Sequence, residues 1–291
     1  MSPPRVLTLP APAKINVFLH VTGRRSDGYH TLETLFVPIA HGDVIVLADS
    51  EDGRVARMEG PAEVPPDDDL AVRAARLLQR SCGVGRGVAI QVRKTIPVGG
   101  GLGGGSSDAA TVLLGLNRLW RLGLSRHALM ALALELGADV PFFIFGEPAL
   151  GRGVGEVLSA VSLPPTWFVV LTPRVSVGTA AVFAAPELTH HSPSAKIELF
   201  SEEFGRNDLQ GVAVARFPEI AACLEALSGA AKMAASAMAP RMSGSGGCVF
   251  AAFGAEEVAE QVLFRAEDAG CCSGFVARAL NRHPLWGFAA P

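Results

Sequence analysis

The chain has 291 residues, 49% hydrophobic and 18% charged, which is too apolar for a disordered protein and long enough for one large domain or two ordinary ones at about 150 residues each. Its 25 basic and 28 acidic residues leave a net charge of −3, which argues against a dedicated nucleic-acid binder but not against a local basic pocket for a phosphorylated small molecule. The 32 glycines are clustered rather than spaced by three, which excludes collagen.

Met1 to Lys14 has no apolar core of the kind a signal peptide needs. Strands are expected at Ile15–Val21, Thr31–Ile39 and Val44–Leu47, separated by turns at Ser26–Gly28 and His41–Asp43. Asp67, Asp68 and Asp69 then open a helix with an apolar stripe at Leu70, Ala74, Leu77 and Leu78. A strand, Val88–Val92, leads into a glycine run. Ser106, Ser107 and Asp108 read as the start of a helix over Ala109–Trp120, with either serine as its cap, and a second helix spans Ser125–Leu136. The uncharged stretch Val157–Pro173 is broken by Pro164 and Pro165, too short to span a membrane, and contains a strand at Trp167–Leu171. Helices at Asp208–Arg216 and Pro218–Leu227, a glycine turn at Ser243–Gly247, a strand Cys248–Phe253, a helix Glu256–Ala269 and a strand Phe275–Leu280 complete the chain. This order predicts an α+β protein of two domains, residues 1–158 and 159–291, soluble and cytoplasmic. Five cysteines (Cys82, Cys223, Cys248, Cys271, Cys272) form no CxxC and no even framework, so reduced thiols and no metal site are expected.

The most informative stretch is Pro97-Val98-Gly99-Gly100-Gly101-Leu102-Gly103-Gly104-Gly105-Ser106-Ser107. A run of backbone N–H groups bare of side chains, just before a helix N-terminus, suits a polyphosphate. No lysine follows a glycine as a P-loop requires. GxGxxG matches at Gly99, Gly101 and Gly104, but the acidic partner about 20 residues on is missing, since Arg118–Met130 holds no Asp or Glu. The ordinary alternative is a flexible linker, yet linkers are rarely set between an apolar strand and an apolar helix.

Lysine is scarce: only Lys14, Lys94, Lys196 and Lys232. Lys14 opens an apolar strand. It is either an edge lysine with its stem buried or a point charge in a cleft that neutralises a phosphate or activates a nucleophile. Asp139 is a lone acid in an apolar stretch, either a turn acid or a base that takes a hydroxyl proton. Tyr29, the one tyrosine, with His30 makes a turn that is either surface decoration or a lid stacking on a ring.

Together these segments resemble a family of small-molecule kinases. The Gly99–Ser107 core is similar to the second motif of the galactokinase, homoserine kinase, mevalonate kinase and phosphomevalonate kinase superfamily. The wider set resembles the diphosphocytidyl-methylerythritol kinases: Ala11–Asn16, Asp27–His30, Leu136–Pro141, Arg152–Glu156, Asn207-Asp208 and Met242–Cys248, in order along nearly the whole chain. The resemblance implies a two-domain kinase fold with an interdomain cleft. It also implies ATP-dependent phosphorylation of the 2-hydroxyl of a cytidine-diphosphate-linked methylerythritol, in the non-mevalonate route to isoprenoids, with Mg²⁺ on the nucleotide and a monomer or homodimer as the working form. Lys14 and Asp139 would be the catalytic pair. Asn16, Tyr29, His30, Thr179 and Phe183 would hold the substrate. Pro97 to Ser107 would wrap the phosphates, Lys94 would sit near the adenine, and Gly244–Gly247 would brace the loop. Asp108 and Asp69 stand where asparagine is familiar. A carboxylate there repels a triphosphate unless it meets Mg²⁺, a ribose hydroxyl or the adenine amine, and Asp108 alternatively complements the helix dipole.

Overall fold

A computed structural model describes residues 5–185, 187–188, 191–193, 205–232, 234, 236, 238–268, 270 and 272–290. Lys196, Cys271 and the expected helix end at Ala269 lie outside the described residues. The first half runs β1 (Val6–Arg24), β2 (His30–Ser50), β3 (Val55–Glu59), α1 (Leu70–Ser81), β4 (Gly87–Arg93), α2 (Gly104–Leu119), α3 (Arg126–Leu134), α4 (Val140–Phe145), β5 (Ala149–Arg152) and β6 (Val157–Ala160). The second runs β7 (Trp167–Thr172), α5 (Thr179–Phe183), α6 (Gln210–Arg216), α7 (Pro218–Ala231), β8 (Arg241–Met242), β9 (Val249–Phe253), α8 (Glu256–Asp268) and β10 (Ser273–Arg278).

The first sheet has the order β3-β4-β2-β5-β6, with β1 on β2, and the second the order β10-β7-β9-β8. β3 pairs with β4 in parallel, and the other ladders are antiparallel. α1 and α2 bury their apolar faces on the first sheet, around Leu47, Leu78, Ile90 and Leu113. α7 and α8 do the same on the second, around Val169, Leu227 and Val262. A third cluster joins the sheets: Ile15, Val17 and Val37 of β1 and β2 meet Phe168, Val170 and Phe250 of the second sheet. This seam packs the two sheets together and places the middle of β1 between them.

Several expectations need correction. α2 begins at Gly104, capped by Gly103 in the left-handed region at φ 72°, so Ser106 and Ser107 lie inside its first turn rather than capping it. The expected Ser125–Leu136 helix ends at Leu134, and a separate short helix, α4, follows Asp139. The expected division at 158/159 falls inside β6, which stays paired to β5 as far as Ala160, because the uncharged stretch there completes the first sheet before the prolines break it. Asp69 is spent locally: it caps α1 by accepting from the Ala71 N–H at 2.9 Å and pairs with Arg57 at 2.7 Å.

The end of the chain also crosses back to the first half. The Leu280 N–H donates to the Pro38 carbonyl, His283 N–H to Gly146 and Arg126 N–H to Ala290, while Leu285 and Ala289 join the first core. The His283 ring is buried there. Its Nδ1 accepts from the Leu285 N–H at 3.0 Å, so the neutral ring keeps its hydrogen on Nε2. Burial, reinforced by the charge of Arg126, pushes its pKa down to about 4 from 6.5. A depressed histidine favours the fold above its unfolded pKa, because only the unfolded chain takes up the proton on the way down. Stability is therefore expected to fall as pH drops from 6.5 toward 4. Urea unfolding at pH 7 and pH 5 should show a smaller acid loss in His283→Asn than in the wild type; equal losses would assign the effect elsewhere.

Candidate active site

Two cavities open between the halves and share one wall. The larger, about 660 Å³, runs along β1 and β2 and is closed by Tyr29, His30 and α5. The smaller, about 350 Å³, follows the glycine run from Pro97 to Ser106. Lys14, Asp139, Ser106 and Thr179 line both. A group held in one cavity is therefore adjacent to a group held in the other at these four residues.

Lys14 reaches that wall because β1 is irregular around it. Pro12 pairs with Gly42 and Lys14 with Pro38, a shift of the kind that re-aims a side chain out of the ladder. The ammonium lies 3.4 Å from an Asp139 carboxylate oxygen and 3.0 Å from the Gly101 carbonyl, and it also donates to Asn16 Oδ1. The Phe36 ring sits beneath it, 5.5 Å away. Lys14 is 3% exposed and Asp139 36%. Asp139 occupies the N-cap position of α4, yet its side chain accepts no capping bond. Its carboxylate is left facing the cleft, so the turn-acid alternative does not describe what its oxygens do.

The glycine run is held by the second half of the chain. Gly247 N–H donates to the Gly99 carbonyl and Cys248 N–H to Gly100, at 3.3 and 3.1 Å. Gly101 has φ 77°, and a Cβ there would lie 2.0 Å from the Ser243 carbonyl oxygen. The opposing turn is fixed in its own right by Asn207, whose Nδ2 donates to the Met242 and Gly244 carbonyls at 2.8 and 2.7 Å. Behind the loop, α2 directs its N-terminal N–H groups and dipole at the smaller cavity.

Each residue singled out from the sequence can be placed. Lys94, Pro97, Val98, Gly99, Gly100, Gly101, Leu102, Gly103, Gly104, Gly105 and Ser106 line the smaller cavity. Ser107 does not: it is fully buried and its hydroxyl donates to the Pro12 carbonyl at 2.7 Å, tying α2 to β1. Asn16, Tyr29, His30, Thr179 and Phe183 line the larger cavity. His30 stacks on Phe183 with ring centres 5.4 Å apart, Tyr29 is 67% exposed, and the Thr179 hydroxyl is 2.7 Å from that of Ser245.

Asp43 and Thr34 did not stand out in the sequence. Asp43 was read only as part of a turn. It is buried, accepts from the Thr95 and Ile96 N–H groups and takes a bond from Lys94. Lys94 also donates to Asp108 at 2.8 Å. Asp108 therefore meets an ammonium, none of the partners its position suggested. Burial pushes the Asp108 carboxyl up, Lys94 pulls it back, Asp43 raises it again, and the outcome is a shift upward. Burial works against the charge on Lys94, but the two carboxylates hold its pKa above the ordinary lysine value.

Cys248 lies beneath the glycine run, 1% exposed. Burial pushes its thiol up to about 12, with Thr172 opposing. The thiolate is the reactive form, so Cys248 is expected to stay unmodified by iodoacetamide at pH 8 in the native protein and to react only after denaturation. Peptide mass mapping checks this, and native labelling at Cys248 would show that the loop opens.

Comparison with known proteins gives a consistent picture. Residues 69–147 match the GHMP kinases N terminal domain and residues 188–270 the GHMP kinases C terminal. The 4-diphosphocytidyl-2-C-methyl-D-erythritol kinase of Thiobacillus denitrificans is 53% identical over 279 residues, covering 96% of this chain and 97% of that protein. A crystal structure of a 4-(cytidine 5'-diphospho)-2C-methyl-D-erythritol kinase superposes with a TM-score of 0.77 at 35% identity, covering 94% of this chain and 99% of the other. A homoserine kinase from Cytophaga hutchinsonii shares the fold, with a TM-score of 0.67 at 18% identity over 96% of this chain and 95% of its own.

Proposed function

The chain belongs to the 4-diphosphocytidyl-2-C-methyl-D-erythritol kinases of the GHMP kinase group, and from that premise we propose that its cleft transfers the γ-phosphoryl group of ATP to the 2-hydroxyl of 4-diphosphocytidyl-2-C-methyl-D-erythritol, a step in isoprenoid precursor synthesis. The observation that carries this reading is the shared wall: the cavity along the glycine run and the cavity beside Tyr29, His30 and Phe183 meet at Lys14 and Asp139.

The triphosphate lies along Gly99–Ser106, where bare N–H groups and the α2 dipole offset its charge. Lys94 lines the same cavity and would sit near its base end. The cytosine ring takes the side of Tyr29, His30 and Phe183, whose aromatic faces suit a flat ring. Thr179 reaches the same substrate where the cavities meet. Asn16 holds the acceptor side of the wall. Asp139 accepts the proton of the attacking hydroxyl, and Lys14 offsets charge that grows on the transferring group. Transfer of this kind needs position and charge neutralisation more than covalent chemistry, and the pair supplies both.

Mg²⁺ fits as an ion carried by the nucleotide. Among the described residues no group of three His, Cys, Asp or Glu side chains is arranged to hold a metal, and Mg²⁺ is ordinarily bound by one or two protein oxygens with the phosphates. The Ser106 hydroxyl, on the shared wall beside the glycine run, would hold it together with the phosphates. When bound, it neutralises charge on the β- and γ-phosphates.

The working form is proposed to be a monomer or a homodimer. No helix among the described residues is long and apolar enough to cross a membrane, and an ATP-consuming step suits the cytoplasm. The test is phosphoryl transfer from MgATP to the cytidylated methylerythritol, with homoserine, mevalonate and galactose in parallel. Transfer to the first alone is expected, and transfer to another acceptor would overturn the substrate assignment.

A further inference from the structure

Between Asn16 and Leu19, β1 carries a bulge: Asn16 pairs with Phe36 and Leu19 with Thr34, so two residues of β1 stand beside one of β2. The Phe18 carbonyl in this bulge accepts from the Thr34 hydroxyl. A carbonyl only accepts, so the hydroxyl commits its proton there and turns a lone pair to Asn16 Nδ2, 2.8 Å away. That fixes the amide of Asn16. Its Oδ1 then faces the Lys14 ammonium, which only donates. Thr34 is fully buried and Asn16 is 2% exposed, so water does not compete for these bonds.

We propose that Thr34 is a positioning residue for phosphoryl transfer: by fixing the Asn16 amide, it holds the Lys14 ammonium on the wall shared by the two cavities. The bulge supplies a polarity that runs in one direction, from the Phe18 carbonyl through Thr34 and Asn16 to Lys14. Without the hydroxyl, Asn16 Nδ2 loses its acceptor and the amide is free to turn its N–H groups toward the ammonium. Lys14 then shifts along its remaining partners, Asp139 and Gly101. The inference rests on the reading of Lys14 given above.

The test is Thr34→Val, which keeps the shape and removes the hydroxyl. The expected result is a fall in kcat of about tenfold, the scale of a lost hydrogen bond next to a charged group, with KM for ATP little changed. With four lysines in the chain, ¹⁵N-lysine labelling gives a resolvable Lys14 signal, expected to shift while those of Lys94 and Lys232 stay in place. Thr34→Ser is expected to recover most of the lost kcat. Thr34→Val added to Asn16→Ala is expected to cost nothing further, since the effect passes through Asn16. Thr34→Ala serves for the same measurements if the valine variant does not fold. An unmoved Lys14 signal, a raised KM at constant kcat, or a serine variant as impaired as valine would overturn the proposal. Lys14→Met separates the two readings. Turnover lost there but kept in Thr34→Val overturns the relay alone. Turnover kept in Lys14→Met removes Lys14 from transfer and overturns the positioning role of Thr34 with it.

Discussion

Asp139→Asn is expected to bind ATP largely as the wild type does and to lose turnover by at least about 10²-fold, the effect of removing a general base from an otherwise intact site. The substitution is isosteric. The Asp139 side chain caps no helix and is more than a third exposed, so the fold has little to lose. Lys14 loses a partner 3.4 Å away but keeps Asn16 Oδ1 and the Gly101 carbonyl. Rapid-quench turnover beside calorimetric ATP binding separates the two effects. Turnover within about tenfold of wild type would remove Asp139 from proton transfer, because a base worth less than that is outside the usual range.

Gly246→Ala should be as damaging by another route. A Cβ at Gly246 would sit 1.9 Å from the Gly101 nitrogen and 2.2 Å from the Gly100 carbonyl carbon, both backbone atoms that cannot swing aside. The turn and the glycine run must separate, which also strains the bonds from Gly247 and Cys248 to the run. Displacing phosphate-holding N–H groups by about 1 Å is expected to cost about 10²-fold in kcat/KM for ATP. Gly254→Ala is the control, since a Cβ there meets nothing within 4 Å. Near-equal kinetics for the two variants would mean that the loop does not need its brace.

Much of this cleft is legible in the sequence, for local reasons. A glycine run between an apolar strand and an apolar helix exposes backbone N–H groups whatever the rest of the chain does. A single lysine at the head of an apolar strand and a single acid in an apolar stretch stand out because burial of an unpaired charge is costly. The helices α1, α2, α7 and α8 follow from apolar periodicity and from the breakers at their ends. Periodicity failed where the elements are short. α4 has six residues and β6 four, too few to establish a period.

Direction and partnership were not legible. Ser106 and Ser107 are neighbours of the same type, yet one faces the cavities and the other ties α2 to β1, because the first turn of α2 starts at Gly104 and sends them apart. Asp108 looked like a charge set against phosphates. It is half of a carboxylate pair sharing Lys94, and its other member, Asp43, comes from a strand far away in sequence.

The sequence by itself determined the family and singled out a glycine run, a lone lysine and a lone acid, because those residue types stand out against an apolar chain wherever they are placed. The tertiary structure alone decided that Lys14 and Asp139 meet on the wall shared by two cavities and that Asn16 and Gly101 hold the lysine there. Those outcomes depend on register, on the seam between the sheets and on which buried groups find partners, and such long-range packing has no local signature in the chain.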